Sequence, residues 1–444
     1  MDRKYQLDTA ENKEFLKEVR DTLLEFGKKF AAPDGTAYYL GDDGTPWTDR
    51  SRDTYETARY AHSYVLGYLL GKKQYEQQAF DAMRGLAKGA RDEKNGGWFE
   101  GIKADGTPVS GKLCYTHAFA ILASSSLVLA EKAGASSLSE IVCKKGAGTE
   151  NLLRLALDIY TEKFWDEKSG LAYDNWNTEF TALSSYRGLN ANMHSVEAFL
   201  AAWDVTKDTV YHDRAKSIID HVIGWARDCN WRIPEHYSED WVPQPDFNKD
   251  HPDDQFKPFG ATPGHGIEWA RLITQFALSM YPDDADNETR KHYVEAAEHL
   301  YGRAVADAWD SDGAPGLVYT TDWDGKPVVH ERMHWVLAEA INTSAVLYRV
   351  TGKAEYAERY SMFMAYLDRF VLDHVHGSWF HELDRENRVS GKVWPGKPDL
   401  YHAIQATLVP YCDPSLSVAV ALAQGKSSLN GRGCTYASRC YCGR

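Results

Sequence analysis

Six short loop segments recur along this chain of 444 residues, each placing aromatic residues and an acid beside a turn. They read YYLGDD around Tyr39, GGWFEG around Trp98, GLAYDNW around Tyr173, RIPEHY around Pro234, GLVYTTDWDG around Tyr319 and GSWFHE around Trp379. The landmarks lie 59, 75, 61, 85 and 60 residues apart, room each time for two helices and their connections. Self-similarity at a fixed period is the mark of an architecture built from like units, here six helix pairs.

The sequence between the loops has the pattern such pairs require. After each loop comes an apolar stretch with few charges and then an amphipathic one: 54–71 and 74–90, 112–133 and 147–164, 190–205 and 209–228, 264–281 and 289–308, 332–351 and 354–372. Helices that are apolar all round are buried, whereas a single apolar stripe marks an outer helix. The sixth apolar stretch, 399–410, lacks an outer partner after it, and the amphipathic segment 11–30 lacks an inner one before it. Pairing the two closes a ring. The expected fold is all-α: an (α/α)6 barrel, six inner helices inside six outer ones, with short β-hairpin-like loops at one mouth.

No Pro/Gly/Ser-rich linker interrupts the repeat, so a single domain is expected over 1–412. Residues 413–444 differ in composition and are expected to be a disordered or appended tail; they hold Cys434, Cys440 and Cys442 without an evident fourth ligand for a zinc knuckle. Cys114, Cys143, Cys229 and Cys412 are scattered singly and read as reduced thiols. A net charge of −14 without a basic run argues against nucleic acid and anionic membranes as partners. No segment reaches the roughly 18 apolar residues of a membrane span, and the N-terminal MDRKYQLDTAENKEF has no signal-peptide core. A cytoplasmic protein is expected, its oligomeric state open. The 14 Trp and 26 Tyr exceed what a core needs, and rings in loops suit the apolar faces of a sugar.

In alternating antiparallel helix pairs every inner helix starts at the same end, so the first turns line one mouth. They read TYETAR (54–59), CYTHAF (114–119), NANMHSVE (190–197), TPGHGIE (262–268), RMHW (332–335) and DLYH (399–402). Five of the six carry a histidine, His117, His194, His265, His334 and His402, out of 16 in the chain. Imidazoles shuttle protons near neutral pH. Metal binding is a second reading, but the H-x-x-E pairs His194/Glu197 and His265/Glu268 come without H-E-x-x-H or a carboxylate cage. Glycoside hydrolysis is a third and needs two flanking carboxylates, for which Glu268, Glu331 and Asp399 are available. Non-catalytic sugar binding would not call for so many histidines. Their number favours proton transfer on carbon.

The stretches TARYAHSY (57–64), YRGLNANMHSVEAFLAAWDVT (186–206), FGATPGHGIEWARL (259–272), GLVYTTDWDGKPVV (316–329) and GSWFHELDRENRVSGKVWPGKPDLYH (377–402) resemble the N-acylglucosamine 2-epimerase superfamily. The resemblance, over about residues 10 to 412, is strongest to its aldose–ketose isomerase branch of mannose and sulfoquinovose isomerases. It implies an (α/α)6 barrel and a monosaccharide substrate interconverted through a cis-enediol, with no metal or nucleotide cofactor. His265 and His402 then form the acid/base pair, and His194 binds the sugar and assists ring opening. Arg59, Tyr115, Asn192, Glu268, Trp335 and Trp394 hold or stack on the sugar, Glu268 also tuning an imidazole. Where sulfoquinovose isomerases carry FRAFGGTPGH and RERVRW, this chain has QFKPFGATPGH (255–265) and HERMHW (330–335). Loss of guanidinium groups there argues against a sulfonate and for a neutral hexose, D-mannose giving D-fructose, with lyxose as a secondary substrate. A 2-epimerase acting on glucose, cellobiose or N-acylglucosamine is the alternative.

Overall fold

The computed structural model describes residues 2–145 and 148–429. Among these, twelve helices form the ring, in chain order α1 (Ala10–Gly27), α2 (Thr54–Leu69), α3 (Glu76–Arg84), α4 (Cys114–Lys132), α5 (Leu152–Lys163), α6 (Leu189–Thr206), α7 (Thr209–Asp228), α8 (Pro263–Met280), α9 (Glu288–Ala308), α10 (His334–Thr351), α11 (Ala354–Tyr366) and α12 (Tyr401–Ala406). The even-numbered helices are the inner ones. They pack in sequence around the ring, and α12 closes against α2. Apolar side chains make most of the core, with charged groups of the inner helices such as Arg59, Glu197, Glu268, Arg271 and Glu339 buried among them, and the expected (α/α)6 barrel is the fold observed.

The two sets of helices begin differently. Four of the six outer helices carry side-chain caps: Thr9 on α1, Asn151 on α5, Asp208 on α7 and Asn287 on α9 each accept a hydrogen bond from a first-turn N–H, while α3 and α11 have none. None of the six inner helices has such a cap. The residues just before them pair instead with the loop of the next unit. Arg52–Asp53 run antiparallel to Gly101–Ile102, Lys112–Leu113 to Asn175–Trp176, Arg187–Gly188 to His236–Tyr237 and Arg332–Met333 to Glu382–Leu383. Ala261 bridges Thr321, and at the sixth joint the Lys397 N–H donates to Leu40 O at 2.8 Å. Gly260, with φ +88°, is held to glycine there because a Cβ would fall 2.1 Å from Thr321 O. The loop landmarks are thus the clips that fix where each inner helix starts.

Four joints share a second clamp, a cation just ahead of the inner helix paired with an acid in a loop behind it. The pairs are Arg52 with Asp34 (2.9 Å), Lys112 with Asp92 (2.8 Å), Arg332 with Asp312 (2.7 Å) and Lys397 with Asp373 (2.5 Å). Lys112 and Lys397 are wholly buried and also donate to the carbonyls of Gly96 and Gly377. Buried ammonium groups persist only when paired and hydrogen-bonded in this way.

Two expectations about the chain's course change. The segment expected as helix over 147–164 begins as a hairpin, Val142–Lys145 with Gly148–Asn151, and turns helical only at Leu152, where the Asn151 side chain caps the first turn. The domain boundary expected at 412 also falls short. Helix α13 (Val418–Ala423) buries Ala419, Val420, Ala421 and Leu422 against α2, α4 and α6, and Ser417 N–H donates to Asp204 at 2.7 Å. The fold therefore extends through residues once assigned to a tail; Cys434, Cys440 and Cys442 lie outside the described residues.

Candidate active site

The first turns of the inner helices surround a pocket. Helix α2 contributes Glu56 and Arg59, α4 Tyr115, α6 Asn190 and His194, α8 His265 and Glu268, and α10 His334 and Trp335. Asp399 and His402 come from the start of α12, while Gln255, Phe256, Tyr319, His381 and Trp394 reach in from loops. Aromatic rings set beside convergent polar groups suit a small polar ligand. Partly positive helix N-termini at the rim favour negative charge developing there.

Two imidazoles are oriented by carboxylates. His402 Nδ1 is hydrogen-bonded to Asp399 Oδ2, three residues earlier and on the same face, while its buried Nε2 has no hydrogen-bond partner. His265 Nδ1 lies 2.9 Å from Glu235 Oε1, a residue of the RIPEHY loop. A carboxylate on Nδ1 holds its proton there and leaves Nε2 as the basic atom. Trp335 lies between the two rings, its centroid 5.1 Å from that of His265 and 6.0 Å from that of His402. Gly264 makes room for it, since a Cβ there would fall 2.6 Å from the indole.

The floor is a network of charge. Glu197 accepts from Tyr401 Oη at 2.5 Å and lies 3.3 Å from His194 Nδ1. Arg271 donates to Glu339 at 2.6 Å and to Glu268 at 3.4 Å. Burial alone would raise the Glu197 pKa, but the His194 hydrogen bond and Arg271 hold it well below the usual range. Glu268 is pushed the other way, by burial and by the neighbouring Glu339, against the pull of Arg271. Burial lowers His194 to about 3, so it is neutral at physiological pH. Arg59 donates to Tyr115 Oη at 2.6 Å and lies 4.0 Å from Asp399, whose pKa is kept low against burial by His402 and Arg59.

His265, His402, His194, Arg59, Tyr115, Glu268, Trp335 and Trp394 all line the pocket. Asn192 does not. It is fully buried behind the wall, where its amide accepts from the Ala172 N–H and donates to the carbonyls of Ala172 and Gly188. Asn190 takes the lining position. His117 is likewise outside: Nε2 accepts from the Trp98 N–H, Nδ1 faces Leu113 O, and burial lowers its pKa to about 3. Sequence reasoning missed Glu235, His381, Glu56 and Asn190, and placed Asp399 only as a hydrolytic carboxylate. Gln255 lines the pocket and donates to Val393 O, whereas Lys257 lies outside it with its ammonium 3.9 Å from the Tyr186 ring centroid.

Three triads bring potential metal ligands within 4.8 Å of one another: His334–Asp399–His402, His194–Glu197–Glu268 and Glu268–Glu339–His402. Their oxygens are already engaged: Asp399 by His402, His334 and the Tyr401 N–H, Glu197 by Tyr401 and His194, and Glu268 and Glu339 by Arg271.

Comparison with known proteins places this barrel among sugar isomerases and epimerases. The N-acylglucosamine 2-epimerase family model matches residues 35–406. The chain is 37% identical to D-mannose isomerase of Pseudomonas cannabina pv. alisalensis over 402 residues, 90% of this chain and 93% of that one. It is also 37% identical to D-mannose isomerase of Thermobifida fusca, over 90% of this chain and 94% of that one. A crystal structure of D-mannose isomerase superposes with a TM-score of 0.77 at 27% identity, covering 89% of this chain and 97% of the other. This chain belongs to the N-acylglucosamine 2-epimerase family.

Proposed function

We propose that this protein is an aldose–ketose isomerase that interconverts D-mannose and D-fructose by imidazole acid/base catalysis. The observation that carries the reading is the pair of dyads, Asp399–His402 and Glu235–His265, flanking Trp335 in one pocket. The D-mannose isomerase relatives at 37% identity support the substrate. Arg59 is the only Lys or Arg side chain lining the pocket among the described residues, and it is already engaged by Tyr115, Glu56 and Asp399. That favours a neutral hexose over a sulfonated one.

In this mechanism His265 moves a proton between the anomeric hydroxyl and the ring oxygen to open the pyranose, with His194 beside it. His402 Nε2 then takes the C2 proton and becomes an imidazolium held by Asp399. The electron pair of the C–H bond forms the C1–C2 double bond of an enediolate, whose negative charge on O1 is met by nearby donors and the helix N-termini. Return of the His402 proton to C1 and transfer of the O2 proton to O1, as the O2–H electron pair becomes the C2 carbonyl, give the neutral ketose and leave His402 as the free base. Each well-placed acid or base contributes about 10²–10⁴-fold. No metal enters this scheme.

Proton NMR of D-mannose with EDTA-treated enzyme in D2O tests it. Fructose bearing deuterium at C1 is the expected result; unchanged mannose overturns the reading. Two imidazoles also allow protonation of C2 from the other face, and glucose without fructose would establish the 2-epimerase alternative.

A further inference from the structure

We propose that His334 is a positioning residue that sets the proton affinity of His402 by sharing its carboxylate. The proposal rests on the role given to His402 above.

Asp399 Oδ2 is a three-way junction. It meets His402 Nδ1 and lies 3.2 Å from His334 Nε2, and the two imidazoles stand at 84° with centroids 6.0 Å apart. Oδ1 of the same carboxylate accepts from the Tyr401 N–H at 2.7 Å. His334 is fixed from both sides. Its backbone N–H donates to His381 O at 2.9 Å, and its ring stacks on that of His381 at 3.8 Å and 11°. His381 Nε2 in turn lies 3.0 Å from the Asp399 carbonyl, to which it donates. A loop histidine thus holds the ring plane that delivers the His334 N–H to the carboxylate.

Burial favours the neutral form of both His334 and His381. The single ring proton of His334 has two acceptors in reach, His381 O at 3.4 Å from Nδ1 and Asp399 Oδ2 at 3.2 Å from Nε2, and the nearer, charged carboxylate draws it to Nε2. A carboxylate that accepts a hydrogen bond on the oxygen facing His402 attracts the imidazolium less strongly. His402 then gives up the proton it takes from C2 more readily. The other charged or titratable groups around it are Glu56 and Arg59 from α2, His194 from α6, His265 and Glu268 from α8, Glu339 from α10 and Lys397 beside His381. Arg59 lies 4.0 Å from Oδ2, beyond hydrogen-bond reach.

The test is an NMR titration of the His402 imidazole in the substrate-free protein, run beside the pH profile of kcat/KM for ketose formation. In His334→Leu the His402 midpoint rises by on the order of one pH unit, and the acid limb of the profile moves with it. His334→Gln, whose amide reaches the place of Nε2, returns both toward the wild-type values. His334→Asn stops short of the carboxylate and behaves like His334→Leu, which keeps the test usable if the leucine variant does not fold. A folded His334→Leu or His334→Asn with an unmoved midpoint overturns the proposal, as does a rise in KM alone. A shifted midpoint in a protein whose wild type turns over no sugar upholds the coupling and removes the isomerase reading instead.

Discussion

Glu235 stands 30 residues ahead of His265 in the chain, yet its Oε1 lies 2.9 Å from His265 Nδ1. The Arg187–Gly188/His236–Tyr237 strand pair anchors the loop that carries it. Glu235→Gln keeps the shape but loses the charge that fixes the tautomer and steadies the imidazolium. We expect kcat to fall by about 10²-fold or more with an unchanged melting temperature, read by steady-state kinetics and circular dichroism.

The two asparagines of NANMH separate binding from stability. Asn192→Ala removes three buried hydrogen bonds to the Ala172 and Gly188 backbone, at roughly 1 kcal/mol each. It should lower the unfolding midpoint in urea and leave KM alone. Asn190→Ala should do the reverse, raising KM about fivefold, the equivalent of one lost hydrogen bond.

Gly264→Ala sets a Cβ 2.6 Å from the Trp335 ring. Such overpacking costs about 1–3 kcal/mol, and relief by moving Trp335 disturbs the spacing of both dyads. The expected outcome is a loss in kcat/KM larger than the loss in stability alone explains, with the shifted indole visible in a crystal structure.

Acid sensitivity follows from the Lys397 clamp. Burial alone would raise the Asp373 pKa, but Lys397 and the His376 and Val375 N–H groups bring it down to about 2. A depressed carboxyl contributes stability that is complete above its unfolded value near 4 and is lost as pH falls from about 4 toward 2. Asp373→Asn should therefore flatten the stability curve over that window. It should also cost about 3–5 kcal/mol at neutral pH, because it leaves the buried Lys397 without a counter-charge. Urea unfolding at a series of pH values reads both.

The ring itself was legible because period and hydropathy are properties of the sequence, and each inner helix was placed within a few residues. What failed was phase. On α6 the lining residues Asn190 and His194 are four apart, and on α4 Tyr115 is followed four residues later by the buried Phe119, which packs on the His194 ring. Asn192 and His117 fall two residues out of step, on the far side of the helix. Spacing from the neighbouring lining residue would have excluded both. The same spacing supports Glu56 with Arg59, Glu268 with His265 and Asp399 with His402, each three apart. Glu235 and His381 were not recoverable in this way, because they arrive from loops through pairing between units and not through helical periodicity.

The joint between Lys397 and Leu40 links the last repeat to the first, and α1 packs on both α2 and α12, so part of its inner surface comes only with the last repeat. A ribosome adding 5–20 residues per second needs roughly 20–80 s to reach α12. Throughout that interval Leu16, Leu23 and Leu24 of α1, all buried in the finished ring, have no complete surface to cover them. His402 is made in the same last stretch, so the nascent chain gains the proposed proton acceptor only as the circle becomes able to close.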